Sequence, residues 1–269
     1  MNNSGVYIRS FSIQTDKSHP FPFNVPAVKF AKQLDTSAPV TILIGDNGCG
    51  KSTLLETLAV KLGLPLIGGH INIHGDPSFE AASMLMPYCK VDWSQQTAKG
   101  FFFRAEDFSD FIYQMQDQQS KLGGEFEGLK EGLGEARFKE FIGNMNYPMK
   151  RIKQEYGDNM YAYSHGEAYI KIISVRVNGK GVYILDEPEA ALSPIKQMAL
   201  IGIILDTLKQ HKAQFLIATH SPIVMGIPGA CIYEIQDSGI EKVQFQETEH
   251  YRVTRAFLEN PEQYLRYLE

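Results

Sequence analysis

Short apolar runs and helical spacing alternate in the first 75 residues, and this alternation predicts an α/β fold. Residues 40–44 form a compact run rich in β-branched side chains, as expected for a strand buried on both faces. Residues 52–62 place leucines on one side of a helix, and Gly63 is a typical helix end. Residues 6–13 alternate apolar and polar side chains, which predicts an edge strand or an early strand.

The same alternation returns toward the end of the chain. Residues 182–185 and 215–218 have the pattern of buried parallel strands, and residues 195–209 between them have helical spacing. The tail contains Asn260, Pro261 and Glu262 in succession, which are an N-cap residue, a proline suited to the first helical position and an early acid. A further helix is therefore predicted to begin there.

The middle of the chain differs from both ends. Residues 105–160 are rich in Gln, Glu, Lys and Gly, with scattered phenylalanines and no sustained heptad pattern. This composition predicts short amphipathic helices joined by glycine turns. We therefore expect the first part of the α/β core in residues 1–104, a small helical subdomain in 105–160 and the second part of the core in 161–269.

Composition narrows the class of protein. The 269 residues are 43% hydrophobic and 21% charged, which is ordinary for a globular domain. No apolar run approaches the roughly 20 residues that span a bilayer, and the first residues lack the pattern of a secretory signal. Three cysteines without paired spacing indicate no disulfide framework. We expect a cytoplasmic protein without an integral membrane segment, and the net charge of −5 argues against a dedicated nucleic-acid binder.

Residues 45–52 carry the strongest chemical signal in the chain. They read Gly-Asp-Asn-Gly-Cys-Gly-Lys-Ser and satisfy the phosphate-binding pattern G-x-x-x-x-G-K-[ST] between a predicted strand and a predicted helix. Glycines let backbone N–H groups surround a phosphate, Lys51 reaches the β- and γ-phosphates, and the Ser52 hydroxyl binds Mg²⁺. The residues predicted to contact ATP here are Gly45, Asn47, Gly48, Cys49, Gly50, Lys51, Ser52 and Thr53.

A second chemical signal follows the apolar run at 182–185. Asp186 and Glu187 come directly after it, so a buried strand delivers two carboxylates to the carboxyl edge of the sheet. A strand that ends in two acids is unremarkable alone, but it becomes informative beside a complete phosphate-binding loop. We expect Asp186 to hold Mg²⁺ and Glu187 to act as the base that activates water.

Three further segments, in order, resemble the ATP-binding-cassette (ABC) ATPases. Residues 163–167, Tyr-Ser-His-Gly-Glu, are similar to the signature loop; residues 186–194 are similar to the Walker B and D-loop segment; and residues 218–222 are similar to the switch segment around His220. The resemblance implies an ABC-type P-loop core with a mostly parallel sheet flanked by helices, plus a small helical subdomain. It also implies Mg-dependent ATP hydrolysis, with Glu187, His220 and Lys51 as the catalytic residues.

The resemblance further implies a head-to-tail homodimer that forms on ATP binding. In that arrangement Ser164, Gly166 and Glu167 of one subunit cap the γ-phosphate of the ATP that the opposing subunit holds. The remaining family element, the glutamine loop, has candidates in Gln95, Gln96 and residues 101–106. The aromatic triplet 101–103 is more typical of a buried strand than of an adenine platform. Phe21 or Phe23 is a candidate for stacking on adenine.

Departures from the transporter pattern separate the candidate functions. Transporter cassettes usually read D-E-P-T-x-x-L-D, whereas this chain has Glu189 and ends the segment with Ser193 and Pro194. It is more similar to stand-alone bacterial ATPases related to the RecF-like, chromosome-maintenance and overcoming-lysogenization-defect ATPases. This predicts an ATP-switched process with an unidentified protein or DNA client. The alternatives are the nucleotide-binding subunit of a membrane transporter and a non-catalytic ATP-binding module.

Overall fold

The computed structural model describes residues 5–15, 20–66, 76–108 and 165–266. The chain divides into two compact units, one made of Met1–Ala105 with Val177–Glu269 and the other of Glu106–Arg176. The predicted subdomain boundary at residue 160 stays a prediction, because residues 109–164 lie outside the described residues.

Two sheets organise the described part of the first unit. Their strands are β1 (Ile8–Ile13), β2 (Leu34–Asp35), β3 (Val40–Gly45), β4 (Cys89–Trp93), β5 (Gly100–Arg104), β6 (Gly181–Asp186), β7 (Ala213–Ala218), β8 (Cys231–Gln236) and β9 (Gly239–Val243). The larger sheet has the strand order β5-β6-β7-β3-β8-β9, and the smaller sheet has the order β2-β1-β4. Neighbours in the larger sheet run parallel except for the antiparallel pair β8 and β9.

These strands confirm the predicted α/β fold with a mostly parallel sheet. The runs at 40–44, 182–185 and 215–218 lie in β3, β6 and β7, whose residues are all buried. The aromatic triplet at 101–103 lies in the buried strand β5. The run at 6–13 contains β1, the first strand of the described residues, which confirms the early-strand alternative; the edge-strand alternative is wrong, because β1 is the central strand of the smaller sheet. Its alternation reports that one face is buried, and it carries no information about how many strands pair with it.

The helices of the described residues follow in chain order. They are α1 (Pro26–Phe30), α2 (Lys51–Leu62), α3 (Glu80–Leu85), α4 (His165–Arg176), α5 (Pro194–Gln210), α6 (Pro222–Met225), α7 (Glu249–Glu259) and α8 (Pro261–Leu265). Gly63 ends α2 with a φ of 64°, as its pattern predicted, and its N–H bonds carbonyls of the last turn. Asn260 caps α8 by accepting a hydrogen bond from the Gln263 N–H, which confirms the predicted helix start.

The core fixes where α2 begins. Leu54, Leu55 and Leu58 of α2 are fully buried and belong to one apolar cluster with Ile184 of β6 and Leu216 of β7. This packing holds the first turn of α2 at the carboxyl edge of the parallel strands, where ligand sites of open α/β sheets lie. None of the helices in the described part of the chain is long and apolar enough to cross a membrane.

The second unit is described only at its two ends. It contributes α4, whose residues Tyr169, Ile172 and Ile173 are fully buried. The rings of Phe108 and Tyr169 lie 4.8 Å apart, within the range of aromatic pairs.

Candidate active site

The loop at residues 45–52 joins the end of β3 to the first turn of α2, and two of its glycines have backbone conformations that disfavour any side chain. Gly45 has a φ of 145°, and a Cβ there would lie 2.4 Å from the Ile235 carbonyl oxygen. Gly50 has a φ of 96°, and a Cβ there would lie 2.8 Å from a methyl group of Val25. The loop therefore follows a tight path that only glycine permits at these two positions.

The start of α2 leaves backbone donors for an anion. Its N-cap residue is Gly50, which supplies no side chain to the first N–H groups of the helix. Lys51 is 4% exposed, and its ammonium donates to the carbonyl oxygens of Gly45 at 2.9 Å and Asp46 at 3.0 Å. A helix start without a side-chain cap, a helix dipole and an ammonium together form a site that suits phosphate. Burial raises the pKa of the Cys49 thiol, so this cysteine is not an activated nucleophile.

Asp186 ends β6 with a carboxylate that is only 6% exposed. Burial raises its pKa to about 7, while hydrogen bonding to the Ser52 hydroxyl opposes that rise. The Oδ1 atom of Asp186 is buried and has no hydrogen-bond partner among the described residues. A hydroxyl beside an unsatisfied carboxylate oxygen is a donor set that fits Mg²⁺, which prefers oxygen ligands. The charge that burial disfavours on Asp186 is the charge that a divalent cation would stabilise.

Glu187 occupies a strained backbone position directly after β6. Its φ is 48°, which lies in the left-handed region that side chains other than glycine seldom adopt. Its N–H donates to the carbonyl of Ala218, the last residue of β7, at 2.9 Å. The chain thus turns out of the sheet at this residue, and the carboxylate remains 44% exposed at the carboxyl edge. Strain of this kind costs on the order of 1–3 kcal/mol and is often found at functional sites.

His220 follows β7 and faces this carboxylate. Its Nε2 lies 3.7 Å from Oε1 of Glu187. Burial lowers the pKa of His220, and the positive charge of Lys51 lowers it further. On its other side, Nδ1 of His220 lies 3.3 Å from Nε2 of His250, a residue of α7.

Glu189 attaches the turn after β6 to the segment that carries His220. Its Oε1 accepts hydrogen bonds from the backbone amides of His220 at 2.7 Å and Ser221 at 3.1 Å. The Ser221 hydroxyl in turn donates to Oε1 of Gln197 and accepts from backbone amides of α6. The sequence marked Glu189 only as a departure from a pattern, and it assigned no role to His250.

The other residues predicted to contact ATP belong to the phosphate-binding loop, to the first turn of α2 and to the predicted signature loop. Asn47 and Gly48 are exposed in the loop, and Thr53 is half-buried in the first turn of α2. Gly166 is buried and Glu167 exposed at the start of α4, in the second unit. Ser164 lies outside the described residues. The roles proposed for all of these residues remain predictions.

The candidates for the glutamine loop lie at opposite ends of one strand. Gln95 and Gln96 precede β5, whereas Arg104 ends it and pairs in register with Asp186 of β6. Arg104 also forms a buried ion pair of 3.0 Å with Glu56 of α2. Of the candidates, only the segment that contains Arg104 comes to the edge where the phosphate-binding loop lies. Phe21 is exposed, and Phe23 packs edge-on against Tyr88 at a ring distance of 5.5 Å.

A mostly parallel sheet that carries the G-x-x-x-x-G-K-S loop and an Asp-Glu pair at its carboxyl edge defines a P-loop ATPase. Residues 36–190 match a family model described as ABC transporter. Because this match covers more than half of the chain, the chain belongs to the ABC transporter family and is an ATP-binding, ATP-hydrolysing enzyme. Residues 169–226 also match a model for an AAA domain of a Type IV TA system.

Curated relatives with similar sequences include ATP-binding proteins of importers. The phosphate import ATP-binding protein PstB 2 of Lactobacillus johnsonii is 29% identical over 68% of this chain and 69% of its own length. The PstB protein of Shewanella denitrificans is 28% identical over 68% of this chain and 64% of its own length. The taurine import ATP-binding protein TauB of Ruegeria pomeroyi is 25% identical over 81% of this chain and 72% of its own length. The matches to the two phosphate-import proteins thus span about two thirds of each.

Among solved structures, cbiO1 of Clostridium perfringens is 17% identical, with a TM-score of 0.48 over 95% of this chain and 96% of its own. The Smc head domain of Pyrococcus furiosus is 11% identical, with a TM-score of 0.46 over 95% of this chain and 100% of its own. The family assignment rests on the sequence match alone.

Proposed function

We propose that this ATPase requires magnesium and closes as a head-to-tail homodimer around two ATP molecules, thereby switching a protein- or DNA-linked process in the cytoplasm. The observation that carries the catalytic part is the 3.7 Å approach of the Glu187 carboxylate to His220, beside the phosphate-binding loop.

The phosphate-binding loop binds the phosphates of the nucleotide. The N–H groups of the loop and of the first turn of α2 donate to phosphate oxygens, and Gly50 has no side chain that would cap the helix in their place. Lys51 is held beside the loop by the carbonyls of Gly45 and Asp46, and its ammonium stabilises charge on the β- and γ-phosphates. These contacts orient the γ-phosphate for attack.

Ser52 and Asp186 would hold the magnesium ion. Two features support this assignment: Oδ1 of Asp186 has no hydrogen-bond partner among the described residues, and the Asp186 carboxylate interacts with the Ser52 hydroxyl. When bound, the ion neutralises negative charge on the phosphate oxygens.

Glu187 acts as the general base. Its carboxylate is partly exposed, so a water molecule can approach it, and it accepts the proton that this water loses on attacking the γ-phosphate. His220 presents Nε2 to the same space and donates a hydrogen bond to the γ-phosphate. With Lys51, it stabilises the charge that develops during transfer.

The second subunit of the dimer supplies the residues that cover the ATP. Ser164, Gly166 and Glu167 of one subunit close over the ATP of the other, in the manner of the signature loop. The helix α4 begins at His165 and contains Gly166 and Glu167, and the first N–H groups of a helix can bind an anion, which supports this part of the proposal. We also propose residues 105–160 as the helical subdomain that precedes this loop.

Two observations favour a client other than a transporter. Glu189 replaces the threonine of the transporter pattern and holds the backbone of His220, and residues 169–226 match the AAA-domain model. This supports the stand-alone group related to RecF-like, chromosome-maintenance and overcoming-lysogenization-defect ATPases. The second candidate, the ATP-binding subunit of an importer, is favoured by the sequence likeness to the PstB and TauB proteins.

A pull-down with a Glu187→Gln variant separates these candidates. The full chain is tagged, loaded with Mg-ATP and recovered from a detergent-solubilised lysate, and wild type with ADP serves as the control. Soluble protein or nucleic acid recovered only with ATP would support the switch. An integral membrane protein recovered in stoichiometric amount would support the importer subunit and contradict the first proposal.

A further inference from the structure

We propose that His250 is a positioning residue for the proposed hydrolysis: its Nε2–H donates to Nδ1 of His220 and thereby keeps the proton of His220 on Nε2. The inference rests on the proposed role of His220 at the γ-phosphate. It adds a residue of helix α7 to the site, in the role of orienting His220 and with no proposed contact to the nucleotide or to the attacking water.

The geometry joins the two rings directly. Nδ1 of His220 and Nε2 of His250 are 3.3 Å apart, and the ring planes are inclined by 47°. The remaining ring nitrogens, Nε2 of His220 and Nδ1 of His250, are buried and have no hydrogen-bond partner among the described residues. Among the described residues, each imidazole therefore has the other as the hydrogen-bond partner of its ring.

The charges around His220 select its tautomer. Its Nε2 faces the Glu187 carboxylate at 3.7 Å and would face the γ-phosphate, so this nitrogen meets two anions and must carry a proton. Burial and the charge of Lys51 favour a neutral ring, which has a single proton. Nδ1 is then an acceptor, and two unprotonated nitrogens at 3.3 Å would repel one another. His250 must consequently be the donor, in its own Nε2–H tautomer.

Both partners are fixed by their backbones. His250 is the second residue of α7, whose N-cap Thr248 is fully buried and accepts a hydrogen bond from the Tyr251 N–H at 3.3 Å. The Thr248 hydroxyl also donates to the Phe245 carbonyl at 2.8 Å. On the other side, Glu189 holds the His220 amide at 2.7 Å. The hydrogen bond between the rings thus joins two segments whose backbones are themselves held by hydrogen bonds, as expected of an orienting contact.

Two substitutions separate donation from packing. His250→Gln keeps an N–H donor close to the position of Nε2, whereas His250→Met has similar bulk and no donor. We expect His250→Met to lower kcat for ATP by about 10–100-fold with a KM within about threefold of wild type, and His250→Gln to recover most of the loss. In a His220→Ala background, His250→Met should cause little further loss, because it acts through His220.

A spectroscopic readout tests the tautomer without activity. In ¹⁵N NMR of the histidine-labelled full chain, His220 should show a protonated Nε2 and an unprotonated Nδ1, and His250→Met should convert it to a tautomer mixture. Wild-type kcat in His250→Met, equal losses in both backgrounds, or a proton on Nδ1 of His220 in the wild type would overturn the inference. An inactive wild type with the expected tautomer would instead overturn the proposed function and leave the hydrogen bond established.

Discussion

The carboxylate of Glu189 accepts a 2.7 Å hydrogen bond from the backbone amide of His220. Glu189 follows β6 and His220 follows β7, so this contact spans the two neighbouring strands whose ends carry the proposed base and the proposed switch histidine. A second bond from the Ser221 amide reaches the same oxygen at 3.1 Å. The position of the His220 ring is therefore set by a side chain that itself performs no chemistry.

Replacing Glu189 by alanine should displace His220. Two backbone N–H groups lose their acceptor, and we expect a loss of about 1–3 kcal/mol in the free energy of unfolding. Turnover should fall by at least about tenfold, while Mg-ATP affinity changes little. Denaturant unfolding and a steady-state phosphate assay measure the two effects. Glu241→Ala, at an exposed position of β9, is the matched control and should leave both unchanged. Equal behaviour of the two variants would refute the role of Glu189.

Gly45→Ala should destabilise the fold itself. Its φ of 145° and the 2.4 Å approach to the Ile235 carbonyl would force β3 and β8 apart or distort the loop. We expect a loss of several kcal/mol, on the order of 2–5, together with loss of nucleotide binding. Gly202→Ala is the control, because a Cβ within α5 meets nothing within 4 Å. That variant should gain about 0.5–1 kcal/mol. Thermal unfolding of the two variants measures the expected loss of stability in Gly45→Ala and the expected gain in Gly202→Ala.

Asp186→Asn should stabilise the protein when neither metal nor nucleotide is bound. Burial raises the pKa of Asp186 to about 7 from the usual 3.8, so the folded state binds this proton more tightly than the unfolded chain does. The wild type consequently loses stability as the pH rises from about 4 to 7. In EDTA at pH 8 the free energy of unfolding of the variant should exceed that of the wild type by on the order of 1–4 kcal/mol, and the difference should vanish near pH 4.

Adding Mg-ATP should make the wild type more stable than Asp186→Asn. With Mg-ATP the wild type gains stability by binding, whereas the asparagine variant gains much less because it has lost a charged ligand. A variant that is less stable than the wild type in EDTA at pH 8 would contradict the assignment of an unfavourable buried charge to Asp186.

Ser164→Arg should separate binding from dimer closure. The change lies in the proposed cap and spares the loop at residues 45–52, so Mg-ATP affinity should be retained. The larger, charged side chain should prevent the second copy from closing. We expect the variant to stay monomeric in light scattering with ATP when Glu187→Gln is also present. Persistent ATP-dependent dimers of that double variant would argue against the signature assignment.

Local patterns predicted the parts of the site that are adjacent in sequence. The loop at 45–52 and the Asp186-Glu187 pair were predicted because each is a contiguous segment whose strand and helix context is visible nearby. Glu189 and His250 were missed as site-building residues because their contacts with His220 join positions 31 and 30 residues apart. Nothing in the spacing of single residues indicates such contacts. The left-handed backbone of Glu187 was equally invisible, since a glutamate carries no local signal for it.

The proposed mechanism is tested most directly by comparing ATP turnover by the wild type and Glu187→Gln, with Mg-ATP binding measured on the same samples. Glutamine keeps the size of the side chain but cannot accept the proton of the attacking water. We expect unimpaired binding, phosphate release slowed by at least about 100-fold, and accumulation of an ATP-bound dimer. Turnover by the variant at a rate near that of the wild type would remove Glu187 from the reaction and contradict the proposed mechanism.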